Sequence, residues 1–136
     1  MRLITDKLLV GNVEDALHPP PTIDTLLLVA EEYMVEPARF ADYHRIPMKE
    51  FAEPDPVVLM RAVAWLEKRV PKGPVMVCCR AGLGRSVSVV MAYLCCVEGM
   101  PYAEALKLIM VRRPGAMPLP NLEEAIEQVR LSRRAA

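Results

Sequence analysis

The chain has 136 residues, of which 53% are hydrophobic, so it is long and apolar enough to bury the core of one domain. Its 17 Lys and Arg residues balance its 17 Asp and Glu residues, which disfavours partners that need an overall basic charge, such as nucleic acid or an anionic membrane. The N-terminal residues lack the apolar stretch of a signal peptide, and the longest apolar run is far too short to span a membrane. We therefore expect a single domain over residues 1–136, soluble and cytoplasmic, of undetermined oligomeric state.

The four cysteines stand in two adjacent pairs, Cys78-Cys79 and Cys95-Cys96. Zinc sites favour cysteines two residues apart, and secreted disulfide frameworks use separated cysteines in smaller chains. The spacing therefore predicts reduced thiols, with no metal and no other cofactor. Cys95 and Cys96 lie in an apolar segment and are expected to pack in the core.

Short apolar segments separated by turn signals predict strands in the first half of the chain. We expect strands at residues 3–4, 8–10, 23–29 and 44–48. The continuous apolar run at 26–29 indicates a strand covered on both faces. The acidic residues that follow it, Glu31 and Glu32, are interpreted as a solvated turn or, alternatively, as a substrate-facing loop with Tyr33 as a wall.

Helix signals dominate the second half. Asp55 is a good N-cap and Pro56 a good first residue for a helix that runs to about Arg69. A buried strand is predicted at residues 75–77, and the almost wholly apolar segment 87–97 predicts a central buried helix.

Two further helices are predicted near the C-terminus. One begins at Pro101 and stops at Pro114, and the last follows a capping pair formed by Asn121 and Glu124. Strands that alternate with helices indicate an α/β domain with a mainly parallel sheet.

The most informative stretch runs from Cys79 through a loop containing Gly82 and Gly84 to Arg85 and Ser86. A loop that joins a strand to a helix N-terminus offers unpaired backbone N–H groups to an anion. The glycines let those groups converge, and Arg85 adds a fork of donors for phosphate oxygens. The same surroundings favour a nucleophilic thiolate at Cys79.

Other anion-binding loops fit this stretch less well. An ATP-binding P-loop requires Lys before Ser or Thr, whereas Arg85 precedes Ser86. A dinucleotide fingerprint requires a third glycine, and position 87 is Val. Rhodanese-type loops generally have a shorter interval between cysteine and arginine.

The segment Cys79-Arg80-Ala81-Gly82-Leu83-Gly84-Arg85-Ser86 resembles the signature loop of cysteine-dependent, dual-specificity-type protein tyrosine phosphatases. Weaker similarities extend over nearly the whole chain: residues 8–12 resemble an early strand of the family, 46–51 its general-acid loop and 112–115 the segment after its penultimate helix. The chain is most similar to compact archaeal and bacterial members. The resemblance implies a three-layer α/β domain with a central, mainly parallel sheet flanked by helices.

The resemblance also implies roles for individual residues. Cys79 is the expected nucleophile, Arg85 the clamp on the phosphate, and Ser86 the hydroxyl that helps the thiolate to leave. The expected phosphate-binding residues are those of the loop: Arg80, Ala81, Gly82, Leu83, Gly84 and Arg85. The implied partner is a phosphorylated protein substrate, with phosphotyrosine first and phosphoserine or phosphothreonine as further options.

Glu50 occupies the position where the family carries its general acid, which is normally Asp. Asp55 is a rival for this role, although it also suits an N-cap, and Glu53 is a third option. A second departure is Cys78, which replaces a histidine that helps to hold the loop. Cys78 is expected to pack in the core or, alternatively, to form a protective disulfide with Cys79.

The segment after the penultimate helix leaves two assignments open. Asn121 is the nearest candidate for a water-positioning amide that some family members carry, but a helix cap explains it better. Arg112 and Arg113 are expected either to complement a helix C-terminus or to provide a second anion contact.

These departures leave two alternatives to a protein phosphatase. One is a pseudophosphatase that binds phosphate without turnover. The other is a phosphatase of non-protein monoesters such as phospholipids, RNA 5′ ends or phosphorylated sugars.

Overall fold

A computed structural model describes residues 1–135. Over this range the strands are β1 (Arg2–Thr5), β2 (Leu8–Gly11), β3 (Thr25–Ala30), β4 (Asp42–Met48) and β5 (Val75–Cys78). The α-helices are α1 (Val13–Leu17), α2 (Pro56–Arg69), α3 (Arg85–Cys96), α4 (Tyr102–Arg112) and α5 (Leu122–Ala135). Short 3₁₀ turns lie at Pro37–Arg39 and Val70–Lys72.

The strands form one sheet in the order β1-β2-β5-β3-β4. Only the β1–β2 pair is antiparallel within the described chain, and the other three pairs are parallel. The prediction of a mainly parallel sheet is therefore confirmed. In the register, Cys78 lies between Gly11 and Leu28, so the loop that follows β5 leaves the sheet between the loops that follow β2 and β3.

Helices flank the sheet, as expected for a three-layer α/β domain. Helix α3 packs against β2, β3 and β5 and against α2, α4 and α5, whereas α1 packs against β2 and β5. Residues 26–29 of β3 are fully buried, which confirms a strand covered on both faces. Helix α3 is buried along almost its whole length, because its side chains are apolar nearly all round.

Helix α2 has the predicted boundaries. The Asp55 carboxylate accepts a hydrogen bond of 2.9 Å from the Val57 N–H, Pro56 is the first helical residue and Arg69 the last. Two separate local signals, an N-cap and a proline compatible with the first turn, therefore determine where the helix begins.

The capping role expected for Asn121 is not found. Its backbone has a φ of 55°, and its side-chain amide donates a hydrogen bond to the Glu53 carboxylate. Among the described residues, no hydrogen bond joins the Asn121 side chain to Glu124 or to the first turn of α5. The Asn121 side chain therefore binds the distant Glu53 in place of the predicted neighbour, Glu124.

None of the helices within residues 1–135 combines the length and the apolar content needed to cross a bilayer.

Candidate active site

Cys79 lies immediately after β5, below the first turn of α3. Its side chain is buried, and Sγ lies 3.3 Å from the Ser86 hydroxyl oxygen and 3.5 Å from the Ser86 backbone nitrogen. The Cys79 thiol donates to the Ser86 hydroxyl oxygen, and the Ser86 backbone N–H donates to the sulfur. The geometry therefore places the sulfur at the N-terminus of α3, in direct contact with Ser86.

Gly82 allows the loop to pack against the end of β2. Its φ of 71° lies in the left-handed region, and a Cβ at this position would lie 2.8 Å from the Gly11 carbonyl oxygen. The Gly11 oxygen also accepts from the Cys79 N–H at 3.3 Å. The close approach and the positive φ both require glycine here.

Arg113 holds the outer side of the loop. Its guanidinium donates to the Gly82 and Ala81 carbonyl oxygens at 3.0 and 3.2 Å, and the Leu83 oxygen accepts from the Met117 N–H at 2.7 Å. In a trans peptide the N–H points opposite to the C=O. The N–H groups of the same peptide units therefore point away from Arg113, as a phosphate cradle requires.

Arg112 lies in the last turn of α4 and Arg113 at its C-cap, so both charges stand at the helix C-terminus, as one of the two predictions had it. The Arg113 side chain also contacts loop carbonyls, and neither arginine is among the described residues that line the cavity above Cys79.

Arg85 is buried and points its guanidinium at Glu32. Its Nη1 and Nη2 lie 2.6 and 2.8 Å from the two Glu32 carboxylate oxygens, and Nη1 also donates to the Met48 carbonyl at 3.0 Å. Within the described residues, Nε and one hydrogen of Nη2 make no hydrogen bond, and Nη2 lies 3.9 Å from Glu50 Oε2. These donors lie on the same edge of the guanidinium, an arrangement that can bind two phosphate oxygens.

Glu32 was missed by the sequence interpretation. The hydrogen bond from Arg85 lowers the pKa of Glu32 to about 2, so the carboxylate is charged throughout the ordinary pH range. Glu31 and Glu32 are exposed turn residues, as predicted, but the ion pair of Glu32 with Arg85 was not foreseen. Tyr33 is not a wall of the site, since the described residues that line the cavity above Cys79 do not include it.

Glu50 reaches the same cavity but is already paired. Arg80 Nε donates to the two Glu50 carboxylate oxygens at 3.1 and 3.2 Å, and Arg80 Nη2 makes a further close contact with Oε1. The hydrogen bond from Arg80 lowers the pKa of Glu50. This arrangement favours the ionised form of Glu50 over the protonated form that a general acid needs.

The other two candidates for the general acid, Asp55 and Glu53, form hydrogen bonds with other groups. The Asp55 carboxylate caps α2, and the Glu53 carboxylate accepts from Asn121. Of these three acidic residues, only Glu50 is among the described residues that line the cavity with Cys79.

The cavity above Cys79 has a volume of about 340 Å³. It brings together the expected nucleophile, the expected acid and most of the expected phosphate-binding loop. The lining residues are Glu50, Phe51, Cys79, Arg80, Ala81, Leu83, Gly84, Arg85, Met117, Pro118, Leu119 and Pro120. Gly82 and Ser86 do not line it, since Gly82 packs on Gly11 and Ser86 lies behind the sulfur.

Cys78 is fully buried on β5 and has a free thiol, as do Cys79, Cys95 and Cys96. Burial raises its pKa well above the ordinary value. A Cβ at Gly11 would lie 3.0 Å from the Cys78 sulfur, so the site has no spare room beside this side chain. These contacts support the packing role of Cys78.

Comparison with known proteins identifies the family. The family described as "Dual specificity phosphatase, catalytic domain" matches residues 22–132, and the chain belongs to this family. Rat dual specificity protein phosphatase 15 is 38% identical over 60 residues, which make up 44% of this chain and 25% of the rat protein. The match thus spans a quarter of that relative's length.

Solved structures share the fold. Tk-PTP in its active form aligns with a TM-score of 0.81 at 23% identity, covering 95% of each chain. Human DUSP28 aligns with a TM-score of 0.80 at 22% identity, covering 99% of each chain. The resemblance to dual-specificity-type phosphatases and the expected fold class are both confirmed.

Proposed function

We propose that this chain is a cysteine-dependent phosphatase that hydrolyses phosphotyrosine in proteins, and also phosphoserine and phosphothreonine, through a phosphothioester on Cys79. The observation that carries the proposal is the position of the Cys79 sulfur, 3.3 Å from the Ser86 hydroxyl at the start of α3. Above that sulfur is a cavity lined by the signature loop and Arg85. Membership of the family supports the reaction class.

In the first step, the loop N–H groups and the free fork of Arg85 bind the oxygens of a phosphate monoester. The Cys79 thiolate attacks phosphorus, so that an S–P bond forms while the P–O bond to the leaving group breaks. The leaving oxygen takes a proton from Glu50. Because the pair with Arg80 favours the ionised form of Glu50, Arg80 must first release Glu50, which then takes up a proton from solvent, and the incoming phosphate is a competing partner for Arg80.

In the second step, water attacks phosphorus and the S–P bond breaks. The Glu50 carboxylate accepts a proton from the water, and the Ser86 hydroxyl stabilises the departing thiolate. Inorganic phosphate leaves, and the free thiolate is restored.

Two observations favour a second candidate, a pseudophosphatase. The pair with Arg80 favours the ionised form of the expected acid, and Cys78 replaces the histidine expected from the family resemblance. A protein of this kind would bind phosphopeptides through the same loop without turning them over.

The proposal extends to the setting of the protein. Phosphorylated protein is the expected partner, and a reducing compartment such as the cytoplasm keeps a thiol nucleophile from forming disulfides. That residues 1–136 form one domain remains our prediction.

The test is metal-free hydrolysis of phosphopeptides that share one sequence and carry phosphotyrosine, phosphothreonine or phosphoserine, with native protein and Cys79→Ser. We expect turnover of the phosphotyrosine peptide that Cys79→Ser abolishes. Phosphopeptide binding without turnover would establish the pseudophosphatase. Turnover confined to phospholipid, RNA 5′-phosphate or sugar phosphate in parallel assays would reject a protein substrate.

A further inference from the structure

The cavity above Cys79 has a polar floor, and most of its remaining lining is apolar. Its floor carries the buried sulfur of Cys79 and the buried guanidinium of Arg85. The remaining lining is mostly apolar and comes from three separate segments: Phe51, Leu83, Met117, Pro118, Leu119 and Pro120. Beyond the phosphate, a substrate therefore meets a largely apolar wall, with Glu50 and Arg80 as the polar exceptions.

Phe51 is unusual in two respects. Its side chain is 75% exposed, although aromatic rings usually gain stability by burial, and its φ is 61°. A positive φ is uncommon for a residue with a bulky side chain and strains the backbone. The ring contributes little packing to the fold, yet the backbone holds it beside the cavity, directly after Glu50.

Met117 supplies a second exposed apolar side chain from a distant segment. It is 68% exposed, and its backbone N–H is fixed by a hydrogen bond of 2.7 Å to the Leu83 carbonyl of the signature loop. Pro118 follows it and limits the backbone further. The position of Met117 is therefore tied to the phosphate-binding loop itself.

We propose that Phe51 and Met117 are specificity-determining residues that contact the leaving group and select an aromatic one. This inference rests on the proposed function and deepens it. An aromatic ring is apolar on both faces and packs well against another ring or a thioether. A phosphoserine or phosphothreonine would instead bring peptide N–H and C=O groups close to this wall, where they lose water without gaining partners.

A binding measurement tests the inference without needing turnover. Calorimetry would compare phenyl phosphate with inorganic phosphate on Cys79→Ser protein, alone and combined with Phe51→Ala or Met117→Ala. We expect each apolar truncation to weaken phenyl phosphate binding about 2- to 10-fold, the size of an aromatic contact. Inorganic phosphate binding should stay the same. The matched control is Leu131→Ala, which truncates another exposed apolar side chain, on α5 and away from the cavity.

Equal losses for both ligands, or no loss for either, would overturn the inference. A turnover measurement adds a second arm: Phe51→Ala should lower the ratio of kcat/KM for a phosphotyrosine peptide to that for the matched phosphothreonine peptide. If Phe51→Ala and the native protein have the same ratio of kcat/KM values, the inference is also contradicted. If the native protein shows no turnover, the proposed function fails, and the binding comparison alone decides the role of Phe51 and Met117.

Discussion

The Arg85 guanidinium and the Glu32 carboxylate form a two-pronged ion pair, with N···O distances of 2.6 and 2.8 Å. Arg85 enters the site from the first turn of α3, and Glu32 from the loop after β3. The pair fixes one edge of the guanidinium, and the edge with Nε makes no hydrogen bond within the described residues, although Nη2 lies 3.9 Å from a Glu50 oxygen. In the proposed mechanism, Glu32 therefore orients Arg85 without touching the phosphate.

Glu32→Gln should lower kcat/KM about tenfold, because a displaced clamp no longer matches the phosphate oxygens. The loss should appear with aryl and alkyl phosphates alike, since both share the phosphate. Glu31→Gln is the matched control, because Glu31 is an exposed neighbour whose side chain makes no ion pair within the described chain. An unchanged or higher kcat/KM in Glu32→Gln would mean that Glu32 merely competes with substrate for Arg85.

Arg80 should set the upper pH limit of turnover through Glu50. A general acid works only when protonated, so the rate falls as the pH rises through its pKa. Arg80 lowers the pKa of Glu50, with Arg85 adding to the effect and Glu32 opposing it. Arg80→Gln should therefore shift the basic limb of the kcat/KM profile to higher pH, measured with a poor leaving group that needs the acid.

Two further variants control this pH experiment. Arg80→Lys keeps the positive charge and should shift the limb less than Arg80→Gln. Glu50→Gln should remove the limb and slow poor leaving groups more than good ones. Glu50 would be rejected as the acid if the basic limb of the kcat/KM profile stays in place in Arg80→Gln. It would also be rejected if Asp55→Asn slows poor leaving groups as much as Glu50→Gln is expected to.

Arg113→Ala should weaken phosphate binding and lower kcat/KM about tenfold or more, because hydrogen bonds from a charged group contribute about 1.5–3 kcal/mol. Without the contacts to the Ala81 and Gly82 carbonyls, the loop N–H groups lose their common direction. Arg112→Ala is the control, since it removes the adjacent exposed arginine. Calorimetric titration with inorganic phosphate measures the effect, and equal affinities in the two variants would contradict this role.

Gly82→Ala and Gly99→Ala separate backbone strain from steric clash. The two glycines have similar φ values, 71° and 73°, but a Cβ at Gly82 would meet the Gly11 carbonyl, whereas nothing lies within 4 Å at Gly99. Gly99→Ala should cost about 1 kcal/mol of unfolding free energy. Gly82→Ala should cost more and abolish turnover, as measured by denaturant titration and hydrolysis. Equal losses of unfolding free energy in the two variants would mean that the loop shifts and relieves the clash with the Gly11 carbonyl.

Local signals explain why part of this molecule could be predicted from its sequence. The signature loop is contiguous from Cys79 to Ser86, and the Asp55 cap lies beside the helix that it begins. The burial of α3 follows from its apolar composition, and that of β3 from its continuous apolar run. In each case the residues that determine the structure are neighbours in the chain.

The supporting contacts of the site could not be predicted in this way. Arg85 and Glu32 are separated by 53 residues, Arg80 and Glu50 by 30, and Asn121 and Glu53 by 68. Nothing in the immediate sequence of Glu32 or Asn121 distinguishes an ion pair or a long-range hydrogen bond from a solvated turn or a helix cap. The choice between them depends on which loops the sheet order brings to one edge.

The most direct test of the proposed mechanism is to trap the phosphorylated enzyme. Ser86→Ala should slow departure of the thiolate, so a rapid acid quench with a phosphotyrosine peptide should accumulate protein that carries one phosphoryl group. Mass spectrometry of the digested protein would locate the group. We predict a phosphothioester on Cys79 that is absent when Cys79→Ser is added. Leaving-group release with no phosphorylated protein, or phosphate on another residue, would contradict the mechanism.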